Sequence, residues 1–161
     1  MPRRNSPVYL TLLLALTSML AGCGQPDKSA PMTFVTAPLI DPNTASETEL
    51  QSIPGLTDAA VSAILAGRPY ATPSALHAVV GDGLSDDARQ AIYSVLFVKV
   101  GLNTGAEEDY KLIPSTMSPG KLAHEFEEYR PYESVDQFRQ EMAKYVSGEE
   151  VAHLSRYVTL D

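Results

Sequence analysis

A mainly α fold is predicted, made of two tandem copies of a unit of short helices with short terminal strands, and three observations predict it. First, the stretch Asn43-Thr44-Ala45-Ser46-Glu47-Thr48-Glu49-Leu50-Gln51-Ser52-Ile53-Pro54 returns as Asn103-Thr104-Gly105-Ala106-Glu107-Glu108-Asp109-Tyr110-Lys111-Leu112-Ile113-Pro114, an offset of 60. Second, Arg68-Pro69-Tyr70 returns as Arg130-Pro131-Tyr132 at an offset of 62, so two residues are inserted between Pro114 and Leu122. Apolar positions then match: Ile64 with Phe126, Leu76 with Phe138, Ile92 with Leu154, Val98 with Leu160. Self-similarity at a fixed period is the mark of a duplicated structural unit. Third, helix-start and helix-stop signals recur at short intervals through both copies.

The first helix is expected near Glu47, because Ser46 and Glu49 have the S-x-x-E spacing of a capping box. Pro54-Gly55 ends it. Thr57 is placed to cap a second helix that carries Ala60, Val61, Ile64 and Leu65 on one face. Gly67-Arg68-Pro69 closes that helix. Pro73 or Ser74 starts a third helix through Leu76 and Val79-Val80, and Gly81-Asp82-Gly83 turns the chain. Ser85 caps a fourth helix through Ala88, Ile92 and Val95. In the second copy Ser118-Pro119 offers a cap followed by proline at the first helical position. The tails Leu96-Phe97-Val98-Lys99-Val100 and Tyr157-Val158-Thr159-Leu160 have strand composition, and are expected to pair with each other or with Phe34-Val35.

Before the repeats lies a segment of another kind. A basic start, Met1-Pro2-Arg3-Arg4-Asn5, precedes an apolar run from Val8 to Leu20. The run is shorter than the roughly 20 residues a membrane-spanning helix needs. It has the length of the apolar core of an export signal. It ends in Leu20-Ala21-Gly22-Cys23, which resembles the lipobox of bacterial lipoproteins. That resemblance implies thioether lipidation of Cys23, cleavage before it and acylation of the new N-terminus. Two or three acyl chains anchor stably where one binds only marginally. Cys23 is the only cysteine, so no internal disulfide is expected despite export. Gly24 follows it, and in the lipoproteins it resembles a non-acidic residue there permits transfer to the outer membrane of a diderm host. The expected division is signal 1–22, lipidated N-terminus and Pro-containing tether 23–40, first unit 41–102 and second, degenerate unit 103–161.

Loss of Arg3 and Arg4 with the signal leaves 10 basic residues against 20 acidic ones, a net charge of −10. Such a surface repels nucleic acid and anionic lipid at long range.

The residues Asn43-Thr44-Ala45-Ser46, Glu49-Leu50, Ile53-Pro54-Gly55-Leu56, Ala60, Ile64, Arg68, Tyr70, Leu76 and Val80-Gly81-Asp82-Gly83-Leu84 resemble the helix-hairpin-helix domain of ComEA-type competence proteins. The photosystem II extrinsic protein PsbU has a related unit. The resemblance spans about residues 41–98, with a degenerate copy over 103–160, and implies paired helix-hairpin-helix elements in each unit. In DNA-binding members the hairpin sits at a helix N-terminus, where backbone N–H groups and the positive helix end grip a phosphate. Fold alone does not carry that function across.

The hairpin candidates are Gly55, Leu56 and Thr57, then Gly81 and Gly83, in the first unit. Thr57 stands where a second glycine is expected, Asp58 follows, Asp82 lies between the later glycines, and Asp86-Asp87 come next. Two like charges about 6 Å apart cost roughly 3 kcal/mol at an effective dielectric of about 20, enough to cancel a phosphate contact. The second unit offers Ser118, Gly120 and Lys121 at one hairpin and Lys144 before Ser147-Gly148 at the other, with Glu149 and Glu150 following. These lysines read either as a phosphate grip or as solvated neighbours of ordinary helix caps.

No catalytic, metal or cofactor pattern is present in the sequence. His77, His124 and His153 lack metal spacing and read as partly exposed helix residues. Glu125, Glu127 and Glu128 read as a solvated helix face, and Asp82, Asp86 and Asp87 lack the terminal glutamate of a calcium loop. Arg68 and Arg130 are expected to bond helix C-terminal carbonyls or a carboxylate. No enzyme and no cofactor is expected. The functional expectation is a membrane-anchored adaptor for an envelope protein partner, with a DNA-uptake receptor as the alternative that charge disfavours.

Overall fold

Serine and threonine set the helices in place. In the computed structural model, which describes Phe34 and residues 37–161, helix α1 (Glu47–Gln51) starts at a complete capping box: Glu49 N donates to Ser46 Oγ, and Ser46 N donates to Glu49 Oε2 at 2.8 Å. The hydroxyls of Thr57, Thr72 and Ser85 cap α2 (Asp58–Gly67), α3 (Pro73–Val80) and α4 (Asp86–Tyr93). Each such cap is worth about 1 kcal/mol. The second half repeats the order with α5 (Glu107–Tyr110), α6 (Pro119–Glu128), α7 (Val135–Met142) and α8 (Gly148–Leu154). Ser134 and Ser147 cap the last two. The expected export signal, Cys23 and most of the expected tether lie outside the described residues.

Pro73 starts α3, one of the two expected openings, with Thr72 as its cap, while the expectations for α4 and α6 need correction. Ser74 is engaged instead by buried Asp109 of α5, to which its N–H donates at 3.0 Å. Helix α4 stops at Tyr93, short of Val95. Ser118 stands at the cap position of α6, but its side chain makes no cap bond.

The tails pair in parallel. Strand β1 (Val100–Gly101) lies beside β2 (Val158–Thr159), with Val100 opposite Val158 and Gly101 opposite Thr159. Ile40 bridges Leu96 in the same sense. In each copy, therefore, the incoming segment pairs with the outgoing one after four intervening helices. Phe34 makes no such pairing; its ring lies 5.0 Å from that of His153.

Equivalent positions fill the core. Leu50 and Tyr110, Ile64 and Phe126, Leu76 and Phe138, and Ile92 and Leu154 are all almost wholly buried. Aliphatic side chains serve the first copy, while the second stacks Tyr110, Phe126 and Phe138 edge to face at 4.9 Å between centroids. The match of Val98 with Leu160 fails in burial, since Val98 is buried and Leu160 exposed. Tyr93, Phe97 and Tyr157 form a further edge-to-face series that joins the two copies, and Tyr157 Oη donates to Tyr93 O at 3.3 Å.

Two arginines hold the loops that precede α1 and α5. Arg68 donates from Nε to Pro42 O at 2.5 Å and from Nη2 to Ala45 O at 2.6 Å. Arg130 donates likewise to Leu102 O and Gly105 O, at 2.9 and 2.5 Å. The expected carbonyl partners are found, but on a loop far away in sequence, not on the preceding helix. Asn43 joins in, pairing its amide with both main-chain groups of Tyr70, and Asn103 does the same with Tyr132.

Candidate functional site

The two hairpins of the first copy converge on one groove of about 320 Å³. Gly55, Leu56 and Thr57 line it from the start of α2, and Gly83 from the turn before α4. Gly55 has φ +86° and Gly83 has φ +82°, a region only glycine enters freely. Gly81 does not line the groove. Its φ is −80°, and a Cβ there would lie 2.6 Å from His77 O, so close approach is what excludes a side chain.

Aliphatic carbon makes the body of the groove, chiefly Ala60, Ala63, Val80 and Ile92. Val79 stands at its edge and is one of two exposed large hydrophobics among the described residues. The only charged residue in the lining is Asp82. Asp58 opens α2, and Asp86 and Asp87 open α4. Asp86 is paired with Arg89 at 2.5 Å, which leaves Asp82 as the charge that faces an occupant. Thr57 Oγ1 accepts from Ala60 N, so it too is already engaged in capping. This is poor ground for a phosphate, and good ground for a hydrocarbon side chain.

The second copy carries larger side chains at the corresponding positions. At the 62-residue offset, Glu125 stands for Ala63 and Tyr145 for Gly83. Tyr129 and Tyr145 share a hydroxyl hydrogen bond of 2.6 Å. The structure brings Lys121 and Lys144 to this pair: Lys121 Nζ lies 5.6 Å from the Tyr145 ring centroid, and Lys144 Nζ 4.8 Å from that of Tyr129. Lys144 is also ion-paired with Glu141, which holds its pKa above the usual lysine value. The Tyr145 phenol is pushed up, first by its bond to Tyr129 and then by Glu125. Gly120 and Gly148 lie in the first turns of α6 and α8, where an added Cβ would meet nothing within 4 Å. Ser118, just ahead of Gly120, is exposed.

Three acidic residues are buried, and one of them, Glu125, departs from its sequence reading. Glu125 is buried, where a solvated face was expected, and its Oε2 has no hydrogen-bond partner among the described residues; Glu127 and Glu128 are the exposed ones. The (i, i+4) spacing puts Lys121 and Glu125 on one face of α6, and Tyr129, the residue that ends the helix, continues the same spacing. Glu150 is buried as well and faces no hairpin ligand. It accepts from Thr116 N and Ser115 Oγ, both at 2.7 Å, and so fixes the inserted loop. Asp109 is buried against Ser74. Nothing in the immediate sequence marks Glu150 or Asp109, because their partners lie 34 or 35 residues away.

His153 is buried rather than partly exposed, with Nε2 at 3.1 Å from Pro114 O. His77 is half-buried, with Nδ1 at 2.7 Å from Tyr93 Oη. His124 is exposed. Among the described residues, no cluster of three or more His, Cys, Asp or Glu is placed to hold a metal, and no helix is long and apolar enough to cross a membrane. A cleft of about 60 Å³ beside Arg89 and Lys111 has room for little beyond water. Both its cations are paired, Arg89 with Asp86 and Lys111 with Glu107 at 2.6 Å. No family model, curated protein or solved structure matches this chain.

Proposed function

We propose that this protein is a non-catalytic adaptor of the bacterial cell envelope, anchored by lipid on Cys23 and built from tandem helix-hairpin-helix units that bind a protein partner. In a diderm host the place is the periplasmic face of the outer membrane. One observation carries the reading: the hairpins of the first copy meet in an apolar groove whose only charged lining residue is the carboxylate of Asp82. A hairpin that grips DNA needs N–H groups and cations facing a phosphate. Here an anion faces the site, and the body carries a net charge of −10.

The alternative is a ComEA-like DNA receptor, favoured by the convergence of Lys121 and Lys144 on the Tyr129–Tyr145 pair. Lysine beside an aromatic face is a combination that serves nucleic acid. Glu141 and buried Glu125 in the same cluster offset those charges.

A mobility-shift titration with duplex DNA across salt concentrations separates the two. The adaptor reading expects weak or absent binding near physiological salt. Even three lysine contacts, with Lys111 included, would give a salt slope of only about −2.7. Submicromolar, steeply salt-dependent binding that is lost in the Lys121→Glu, Lys144→Glu double variant would establish the receptor instead.

A further inference from the structure

The adaptor reading leaves its partner's chemistry open, and the groove narrows it. We propose that the first-copy groove receives aliphatic side chains from a polypeptide segment whose flanks carry lysine or arginine. This rests on the adaptor reading and names the recognising surface within it.

Size comes first. About 320 Å³ lies at the low end of the roughly 300–1,000 Å³ typical of ligand pockets. It accommodates a pair of aliphatic side chains, not a whole helix. The lining is shaped for them: Ala60 and Ala63 leave space on α2, while Val79, Val80 and Ile92 supply the apolar wall. Burying such a side chain removes its apolar surface from water, which favours binding. Val79, 37% exposed, is left uncovered at the edge.

Charge then selects the flank. Asp82 lines the groove, and Asp58 and Asp87 open the helices on either side, with no cation in the lining. A basic flank gains from this field, an acidic one loses, and an acyl chain gains nothing. The comparison between copies strengthens the case. At the matching positions the second copy has buried Glu125 and half-buried Tyr145 where the first keeps Ala63 and Gly83, so the small residues of the first copy are not imposed by the architecture.

The test uses the lipidated mature protein in zwitterionic nanodiscs, with empty nanodiscs as the control. Fluorescence anisotropy compares a leucine-bearing peptide with lysine flanks, the same peptide with glutamate flanks, and duplex DNA. The lysine-flanked peptide is expected to bind at least about tenfold more tightly than the glutamate-flanked one. Ala63→Trp, which fills the groove, should abolish binding, and Val79→Glu at the exposed edge should do so without touching the core. Asp82→Lys should weaken the lysine-flanked peptide and strengthen the glutamate-flanked one. Equal binding of both peptides, or binding unaltered in Ala63→Trp and Val79→Glu, overturns the proposal. So does failure of the lysine-flanked peptide to bind, and if DNA also fails to bind, the adaptor reading survives on another surface. Competition of DNA with the peptide overturns both.

Discussion

Asp161 does in the second copy what Asp41 does in the first, from the other end of the chain. Asp41 Oδ1 accepts from Asn43 N at 2.9 Å, and Asp161 Oδ1 accepts from Asn103 N at 2.9 Å. The residue at the Asp41 position of the second copy is Gly101, where a Cβ would collide with the Asp161 carboxylate. The glycine makes room, and the residue after the outgoing strand supplies the missing acceptor.

That relationship has a pH signature. The Thr104 hydroxyl and then the Asn103 N–H hold the Asp161 pKa below its ordinary 3.8. The ionised form is thus the one favoured by folding. Its stabilisation is present above pH 3.8 and is lost as pH falls through the lower folded value. Asp161→Asn should therefore lower Tm at neutral pH, and the difference from wild type should shrink as pH falls below 3.8. Gly101→Ala should destabilise by about 1–3 kcal/mol through overpacking. The cost should be smaller in an Asp161→Ala background, read as a non-additive double-mutant cycle in urea.

The paired arginine latches make a second prediction. Arg68→Ala and Arg130→Ala each leave two loop carbonyls without their charged donor. Each should cost about 3 kcal/mol, seen as a lower urea midpoint with helix content retained at low denaturant. Arg→Lys should recover little, because an ammonium cannot span both carbonyls as the guanidinium fork does. Recovery by lysine would mean that charge, not the fork, is what the loops require.

Membrane attachment is tested at Cys23. Cys23→Ser should leave an uncleaved or soluble precursor without lipid label, as the Leu20-Ala21-Gly22-Cys23 sequence implies. A fully processed Cys23→Ser protein that stays in the membrane fraction would rule out lipid anchoring.

The helix starts were legible because a cap is a local affair. Ser46 with Glu49, Thr57, Ser85 and Ser147 each act within three residues of themselves. The repeat was legible because apolar positions that face one core recur at fixed spacing. What the sequence hid is set by distance. The partners of Glu150 lie 34 and 35 residues away, the Pro114 carbonyl beside His153 lies 39 away, and the Arg68 acceptors lie 23 and 26 away. A glutamate among glutamates reads as solvated, which is why Glu125 is expected on an exposed face and is found buried. The hairpin glycines were legible as turns, but not the groove between them, because it depends on Ala63 and Val79 from two other helix faces.

The central claim is that the first-copy groove meets a protein in the envelope. Photo-crosslinking in intact cells tests it most directly, with a photoreactive phenylalanine analogue at Val79 and, in a separate variant, at exposed Glu128 on the second copy. The account predicts a discrete heavier adduct from position 79 that is destroyed by protease, resists nuclease and disappears in an Ala63→Trp background, with no such adduct from position 128. A nuclease-sensitive adduct, or no adduct from position 79 at all, would contradict it.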